Sequence, residues 1–169
     1  IRDVERSRGL GDVYKRQILI VGGPLSYAEH LAGHLLVRKG KIKLLGRVTN
    51  DKLIELYNSS QIGLLPFFED TPLLGGQRTK ALEFFANHLL VISGPEGVKG
   101  IHGLEPGKHY LLANSLDDMC MIIDNCLSQP EKYQNIATAG ARYILKNYSW
   151  EALTKDYVNL IQKLISLKA

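Results

Sequence analysis

From Ile18 onward, short apolar runs closed by glycine or proline alternate with longer stretches whose apolar residues recur at helical spacing. This alternation constrains the chain more than any other feature. Strands separated by helices pair in parallel, and they make a doubly wound sheet with helices on both faces. Gln17-Ile-Leu-Ile-Val-Gly-Gly23 reads as the first strand, apolar throughout as a strand buried on both faces must be. Tyr27 to Lys39 carry a helical pattern that Gly40 stops, and Lys41-Ile-Lys-Leu-Leu-Gly46 is the second strand. Thr49 or Asn50 caps a helix through Asn58, with Leu53, Ile54, Leu56 and Tyr57 as its buried stripe. Gln61-Ile-Gly-Leu-Leu-Pro66 is the third strand. A loop from Glu69 to Gly76 leads into a helix from Gln77 to Asn87, and Leu89-Leu-Val-Ile-Ser93 is the fourth strand. A short strand near His109–Leu112 follows, then a helix opened by the capping-box-like Ser115-Leu-Asp-Asp118. Pro130 opens the next helix, to Asn147, and Ser149 caps a last amphipathic one from Trp150 to Leu167.

Residues 1–17 carry neither period, and Asp12-Val-Tyr-Lys-Arg-Gln17 looks like a translated adaptor end. They are set apart as a non-native or disordered leader, and residues 18–169 are taken as one domain. No run of 18 or more apolar residues is present, and the first stretch lacks the apolar core of a signal peptide. The formal charge of +4 is split evenly: the leader holds five Lys/Arg against three acids, the rest sixteen against fourteen. A domain so nearly balanced lacks the cationic footprint of nucleic-acid binding. Cys120 and Cys126, six residues apart, fit neither a redox nor a metal pair and read as core thiols of a reduced, cytoplasmic protein.

In such sheets ligands bind where strand carboxyl ends meet helix N-termini. The loop-rich ends are Gly22-Gly23, Pro66 to Gly76, and Ser93 to Gly97. The second is the most informative, because Gly75-Gly76-Gln77-Arg78-Thr79-Lys80 opens a helix. Free N–H groups, the positive end of the helix dipole, Arg78 and Lys80 suit a diphosphate, and Gly75 and Gly76 let backbone approach it closely. The competing reading is a solvated loop with surface cations. Glu83, one turn further on, can accept from both hydroxyls of a ribose; alternatively it pairs with Lys80 at i,i+3. His30 and His34 have i,i+4 spacing, but no carboxylate or thiol completes a metal site nearby, and a surface helix explains them better. Asn147-Tyr-Ser149 matches a glycosylation triplet that a helix boundary also explains, and Trp150 reads as a packing anchor. There is no Walker loop, nucleophile elbow or Gly-x-Gly-x-x-Gly.

Together these segments resemble the C-terminal, donor-binding domain of GT-B glycosyltransferases of the group-1 or family-4 type. Seven landmarks occur in family order: Ile18-Leu-Ile-Val-Gly-Gly23, Leu44-Leu-Gly-Arg-Val48, Asp51-Lys-Leu-Ile-Glu-Leu-Tyr57, Ile62-Gly-Leu-Leu-Pro66, Lys80-Ala-Leu-Glu-Phe-Phe-Ala86, Gly94-Pro-Glu-Gly97 and Tyr148-Ser-Trp-Glu151. The resemblance implies one Rossmann-like half of such an enzyme with C-terminal helices, the acceptor-binding domain lying outside the residues given. It implies transfer of a sugar from a nucleotide-diphosphate donor, with retention, to a saccharide or lipid-linked acceptor. Lys80 and Arg78, with Gly75 and Gly76, would meet the diphosphate, and Glu83 the ribose. Catalysis would be electrostatic, with no metal or other cofactor required. The implied parent is cytoplasmic, peripheral membrane association being compatible with it, and the donor half alone is expected to be inactive.

Departures from the pattern define the alternatives. The glutamate the family often carries eight residues before the ribose one is Gly75 here; Glu69, fourteen residues before it, replaces it only if the loop holds an insertion. The family's Gly-x-Pro after the helix is His88-Leu-Leu90, with Asn87 expected to take the left-handed cap. A degenerate nucleotide-binding module and a nucleotide-sugar epimerase are the competing functions. A receiver-like signalling domain fits less well, because acidic clusters at the strand ends are absent.

Overall fold

The structure, a computed structural model, describes residues 17–21, 41–68 and 78–166. Residues 1–16, the helix expected over Tyr27 to Lys39 and the loop from Glu69 to Gly76 lie outside the described residues, as do His30 and His34. The chain divides into two units, residues 1–54 and 55–169.

In the first unit β1 (Ile18–Val21) runs parallel to β2 (Ile42–Gly46), with Ile18 opposite Ile42. The register shifts after Ile20, so that Val21 pairs with Gly46. Among the described residues β2 is the one strand paired with β1. Ile18 and Val21 are 48% and 37% exposed, where their continuous apolar run suggested burial. The division between the units falls within α1 (Asn50–Ser59). Thr49 is its cap: the Lys52 N–H donates to Thr49 Oγ1 at 3.3 Å, and the Leu53 N–H to the Thr49 carbonyl at 2.9 Å. Tyr57 is buried, whereas Ile54, expected in the same stripe, is exposed.

In the second unit β3 (Ile62–Leu65), β4 (Leu90–Ser93) and β5 (Leu111–Leu112) form a parallel sheet in that order. Ile62 lies opposite Leu90, and Ile92 opposite Leu111. All four residues of the central strand β4 are buried. Side chains alternate along a strand, so its two faces feed different clusters. Val91 packs with Leu65, Ala81, Phe85, Tyr110 and Ile144; Leu90 and Ile92 pack with Ala113, Met119 and Cys126. The helices that close these clusters are α2 (Thr79–Ala86), α3 (Leu116–Ser128) and α4 (Pro130–Asn147). Side chains as fully buried as Phe85 and Ile92 each contribute about 1.5–3 kcal/mol through the area they remove from water.

Local chemistry sets the helix ends. Ser115 Oγ accepts from the Asp118 N–H at 3.1 Å, while the Asp118 carboxylate reaches back to the Asn114 N–H at 2.9 Å. α2 ends in a Schellman motif, the Leu89 N–H donating to the Phe84 carbonyl and the His88 N–H to that of Phe85. The residue that turns left-handed is His88, at φ 58°, and not Asn87, which stays at φ −93°. The motif needs the left-handed residue just before the one that bonds back to Phe84, and that position falls on His88.

The last helix, α5 (Trp150–Ser166), starts from Ser149, whose Oγ accepts from the Ala152 N–H at 3.2 Å. Trp150 is not the expected packing anchor: it is 83% exposed and begins an apolar stripe that continues through Tyr157, Leu160, Ile161 and Leu164, all exposed. Only Cys126 is a core thiol, since the period of α3 turns Cys120 outward. Among the described residues no helix is long and apolar enough to cross a membrane.

Candidate functional site

The positions singled out at the start of α2 share one short helix. Arg78 is its N-cap residue, Lys80 lies in its first turn, and Glu83 follows one turn later. The positive end of the helix dipole lies here beside two cationic side chains. The arrangement favours an anion.

Lys80 and Glu83 form the ion pair their spacing allows, Nζ to Oε2 at 2.8 Å. A second donor comes from another element: the Tyr57 hydroxyl, in the last turn of α1, donates to the same Oε2 at 2.6 Å. Both bonds end on Oε2, and among the described residues Oε1 accepts none. Burial tends to raise the Glu83 carboxyl. The hydrogen bonds from Lys80 and Tyr57, with the Lys80 charge, outweigh that tendency and hold it below the ordinary glutamate range. The Tyr57 hydroxyl is pushed far above its ordinary value, by burial first and then by the carboxylate it bonds to. At neutral pH the pair is a protonated phenol donating to a carboxylate.

The Arg78 guanidinium is anchored on two sides. Its Nε donates to the Glu96 carbonyl at 3.2 Å, and its Cζ lies 5.4 Å from the centroid of the Phe67 ring. Glu96 belongs to the turn after β4, and its carboxylate takes both its oxygens to Lys99 Nζ at 3.0 Å. Arg78 is therefore a held cation at a strand carboxyl end and not a freely solvated one.

Further along, the segment between β4 and β5 is clipped to α4. The His102 N–H donates to the Tyr148 hydroxyl at 2.7 Å, and Tyr143 donates from its hydroxyl to the His102 carbonyl at 3.0 Å. Tyr148 belongs to a terminal landmark, and this backbone clip is what it does.

The structure thus brings Lys80 and Glu83 together and puts Arg78 on the same helix. Gly75, Gly76 and Glu69 lie outside the described residues. Tyr57, Phe67 and Glu96 escaped the sequence reading as site residues. Tyr57 sat in an apolar stripe, where helical spacing reveals a buried face but not a hydroxyl's partner 26 residues away. Among the described residues no group of three or more His, Cys, Asp or Glu side chains is placed to hold a metal ion.

No curated protein sequence matches the chain significantly. Solved structures share its fold at low identity. Anabaena HepE in complex with UDP is 14% identical with a TM-score of 0.69, over 88% of this chain and 41% of that one. Sucrose-phosphate synthase from Thermosynechococcus elongatus is 19% identical with a TM-score of 0.68, over 89% and 39%. The C-terminal domain of LpcC, a group-1 family glycosyl transferase from Francisella tularensis, is 16% identical with a TM-score of 0.59, over 75% and 63%. The chain spans about two fifths of the length of the first two. The fold is that of the C-terminal half of GT-B glycosyltransferases, with parallel strands and C-terminal helices. The "Glycosyl transferase-like" family profile matches residues 4–159, most of the chain, and the protein belongs to that family.

Proposed function

We propose that this chain is the nucleotide-sugar-binding half of a transferase that moves a hexose from a nucleoside-diphosphate donor, with retention, to a saccharide or lipid-linked acceptor. Arg78 and Lys80, with backbone at Gly75 and Gly76, take the diphosphate, and Glu83 takes the ribose. Glu69 is the weaker candidate for the carboxylate that the family often carries where this chain has Gly75. Cations at the start of α2 stabilise charge developing on the leaving diphosphate, and the step requires no metal. The donor half alone turns nothing over.

The observation that carries this reading is the Lys80–Glu83 pair on α2, with Arg78 held at the N-cap of the same helix against the turn after β4. Further support comes from HepE structures holding UDP and UDP-glucose. The test is a titration of the chain with UDP, GDP and ADP, followed through backbone amide shifts. One diphosphate is expected to move the amides of α2, and Lys80→Ala and Glu83→Ala are expected to abolish the response. No response to any of the three, or shifts that persist in both variants, would overturn the assignment. Sugar transfer by the isolated chain would overturn its expected inactivity.

A degenerate module that binds nucleotide without turnover is the second reading, favoured by Gly75 at the position of the family glutamate. Nucleotide affinity without transfer in a longer form of the protein would support it.

A further inference from the structure

We infer that Tyr57 is a positioning residue that fixes the Glu83 carboxylate for the sugar ring of a bound nucleotide; the inference rests on the ribose role proposed above for Glu83. A glutamate on a helix surface samples many rotamers, and a carboxylate that must meet a pair of hydroxyls gains from being confined to one. Glu83 is 39% exposed in its side chain, enough to reach a ligand, and its confinement comes from its partners.

The two partners differ in what they can do once a ligand arrives. Lys80 Nζ ends a flexible side chain that is 61% exposed, and the same ammonium is the one proposed to meet the diphosphate. It cannot neutralise phosphate and hold Glu83 with equal strength. Among the described residues the Tyr57 hydroxyl makes no other hydrogen bond. Its hydroxyl is 2.6 Å from Oε2, the short distance of a hydrogen bond to a charged acceptor. It occupies Oε2, and among the described residues Oε1 accepts no hydrogen bond, so the protein holds one oxygen of the carboxylate and a diol can take the other.

Tyr57 is itself held by packing. It is buried, and its ring meets that of Phe84 edge to face with centroids 5.9 Å apart at 81°. Phe84 lies over β3 where Gly63 has no side chain, since a Cβ there would stand 2.5 Å from Phe84 Cδ2. Gly63 makes room for Phe84, Phe84 braces Tyr57, and Tyr57 aims one hydroxyl at Glu83. Were the tyrosine only packing, phenylalanine would serve equally well.

The test compares UDP with 2′-deoxy-UDP on the full 169-residue chain, as affinities by calorimetry in wild type, Tyr57→Phe, Glu83→Gln and the double variant. Wild type is expected to prefer UDP by about tenfold, the worth of a hydrogen bond to a charged group. Glu83→Gln is expected to erase the preference. Tyr57→Phe should cut it to about threefold or less without changing the affinity for 2′-deoxy-UDP. The double variant should match Glu83→Gln, because the tyrosine acts only through the glutamate. A preference kept in Tyr57→Phe and lost in Glu83→Gln would overturn this inference alone and leave the ribose role standing. A preference untouched by Glu83→Gln would remove the ribose role itself and the inference with it. If Tyr57→Phe does not fold, Phe84→Leu takes its place: it loosens the ring while keeping the hydroxyl. A reduced preference for UDP is expected there too, and an unchanged one would overturn the inference.

Discussion

The backbone N–H of Glu105 donates to Nδ1 of His109 at 3.0 Å, which makes the buried imidazole the acceptor that closes the loop before β5. A ring nitrogen can accept only while it is unprotonated. Burial, reinforced by the neighbouring Lys108 charge and opposed by Glu105, holds His109 below the ordinary histidine range. The Tyr143 ring lies tilted against it, centroids 4.9 Å apart at 43°.

The pH dependence follows from linkage. The unfolded chain binds a proton at this residue near pH 6.5, and the folded chain only at lower pH. The stabilisation is therefore complete above pH 6.5 and is lost as pH falls through the folded value. Thermal melts between pH 7.5 and 5 should show the melting temperature declining below about 6.5. His109→Asn, whose Oδ1 can accept from Glu105 without titrating, should flatten that decline. A variant with the same slope as wild type would show that other groups carry it.

His88 occupies the left-handed position that ends α2, at φ 58° and exposed to solvent. A side chain with a Cβ is strained in that conformation, whereas glycine is not. His88→Gly should stabilise the protein by about 1 kcal/mol, the strain relieved outweighing the entropy glycine adds to the unfolded chain. For a domain of this size that is about 2–4 °C in melting temperature. A lower melting temperature would mean that the histidine makes a contribution beyond its backbone angles.

The elements were legible because burial imposes periods. Leu90–Ser93, apolar up to Ser93, is buried on both faces, and Ser115, Pro130 and Ser149 mark helix starts through short-range hydrogen bonds or ring geometry. The Lys80–Glu83 pair was legible from helical spacing alone, its members three residues apart on one helix. What packing alone decides was hidden. Tyr57 reaches Glu83 across 26 residues, and Arg78 reaches the Glu96 carbonyl across 18. Trp150 shows the converse limit. An amphipathic stripe says that a helix has an apolar face, not that this chain covers it, and α5 leaves its stripe exposed.

Gly140 lies in the middle of α4, where glycine is normally unfavourable. A methyl there would collide with the His109 carbonyl oxygen and stand 2.8 Å from Phe85 Cδ1. Because Phe85 is fully buried and the carbonyl belongs to backbone, neither can yield cheaply. Gly140→Ala should therefore destabilise by about 1–3 kcal/mol, despite the better helix propensity of alanine. Thr138→Ala, two residues away and exposed, should stay within about 0.5 kcal/mol of wild type in urea melts. Equal stabilities for the two variants would contradict the close approach of α4 to Phe85.

The two cysteines of α3 should be separable by their reactivity. Cys126 is packed with Leu90, Ile92 and Met119, and burial pushes its thiol up to about 11. The reactive species is the thiolate, and at pH 8 a thiol of that kind is ionised in about one molecule in a thousand. Its surroundings also shut out a reagent. Cys120, on the outward face of the same helix, is exposed to the reagent. Ellman's reagent at pH 8 should therefore titrate one thiol rapidly in the native protein and two after unfolding in guanidinium. Cys120→Ser should lose the fast phase and Cys126→Ala should keep it. Two fast thiols in the folded chain would mean that the cluster beneath β4 opens on the timescale of labelling.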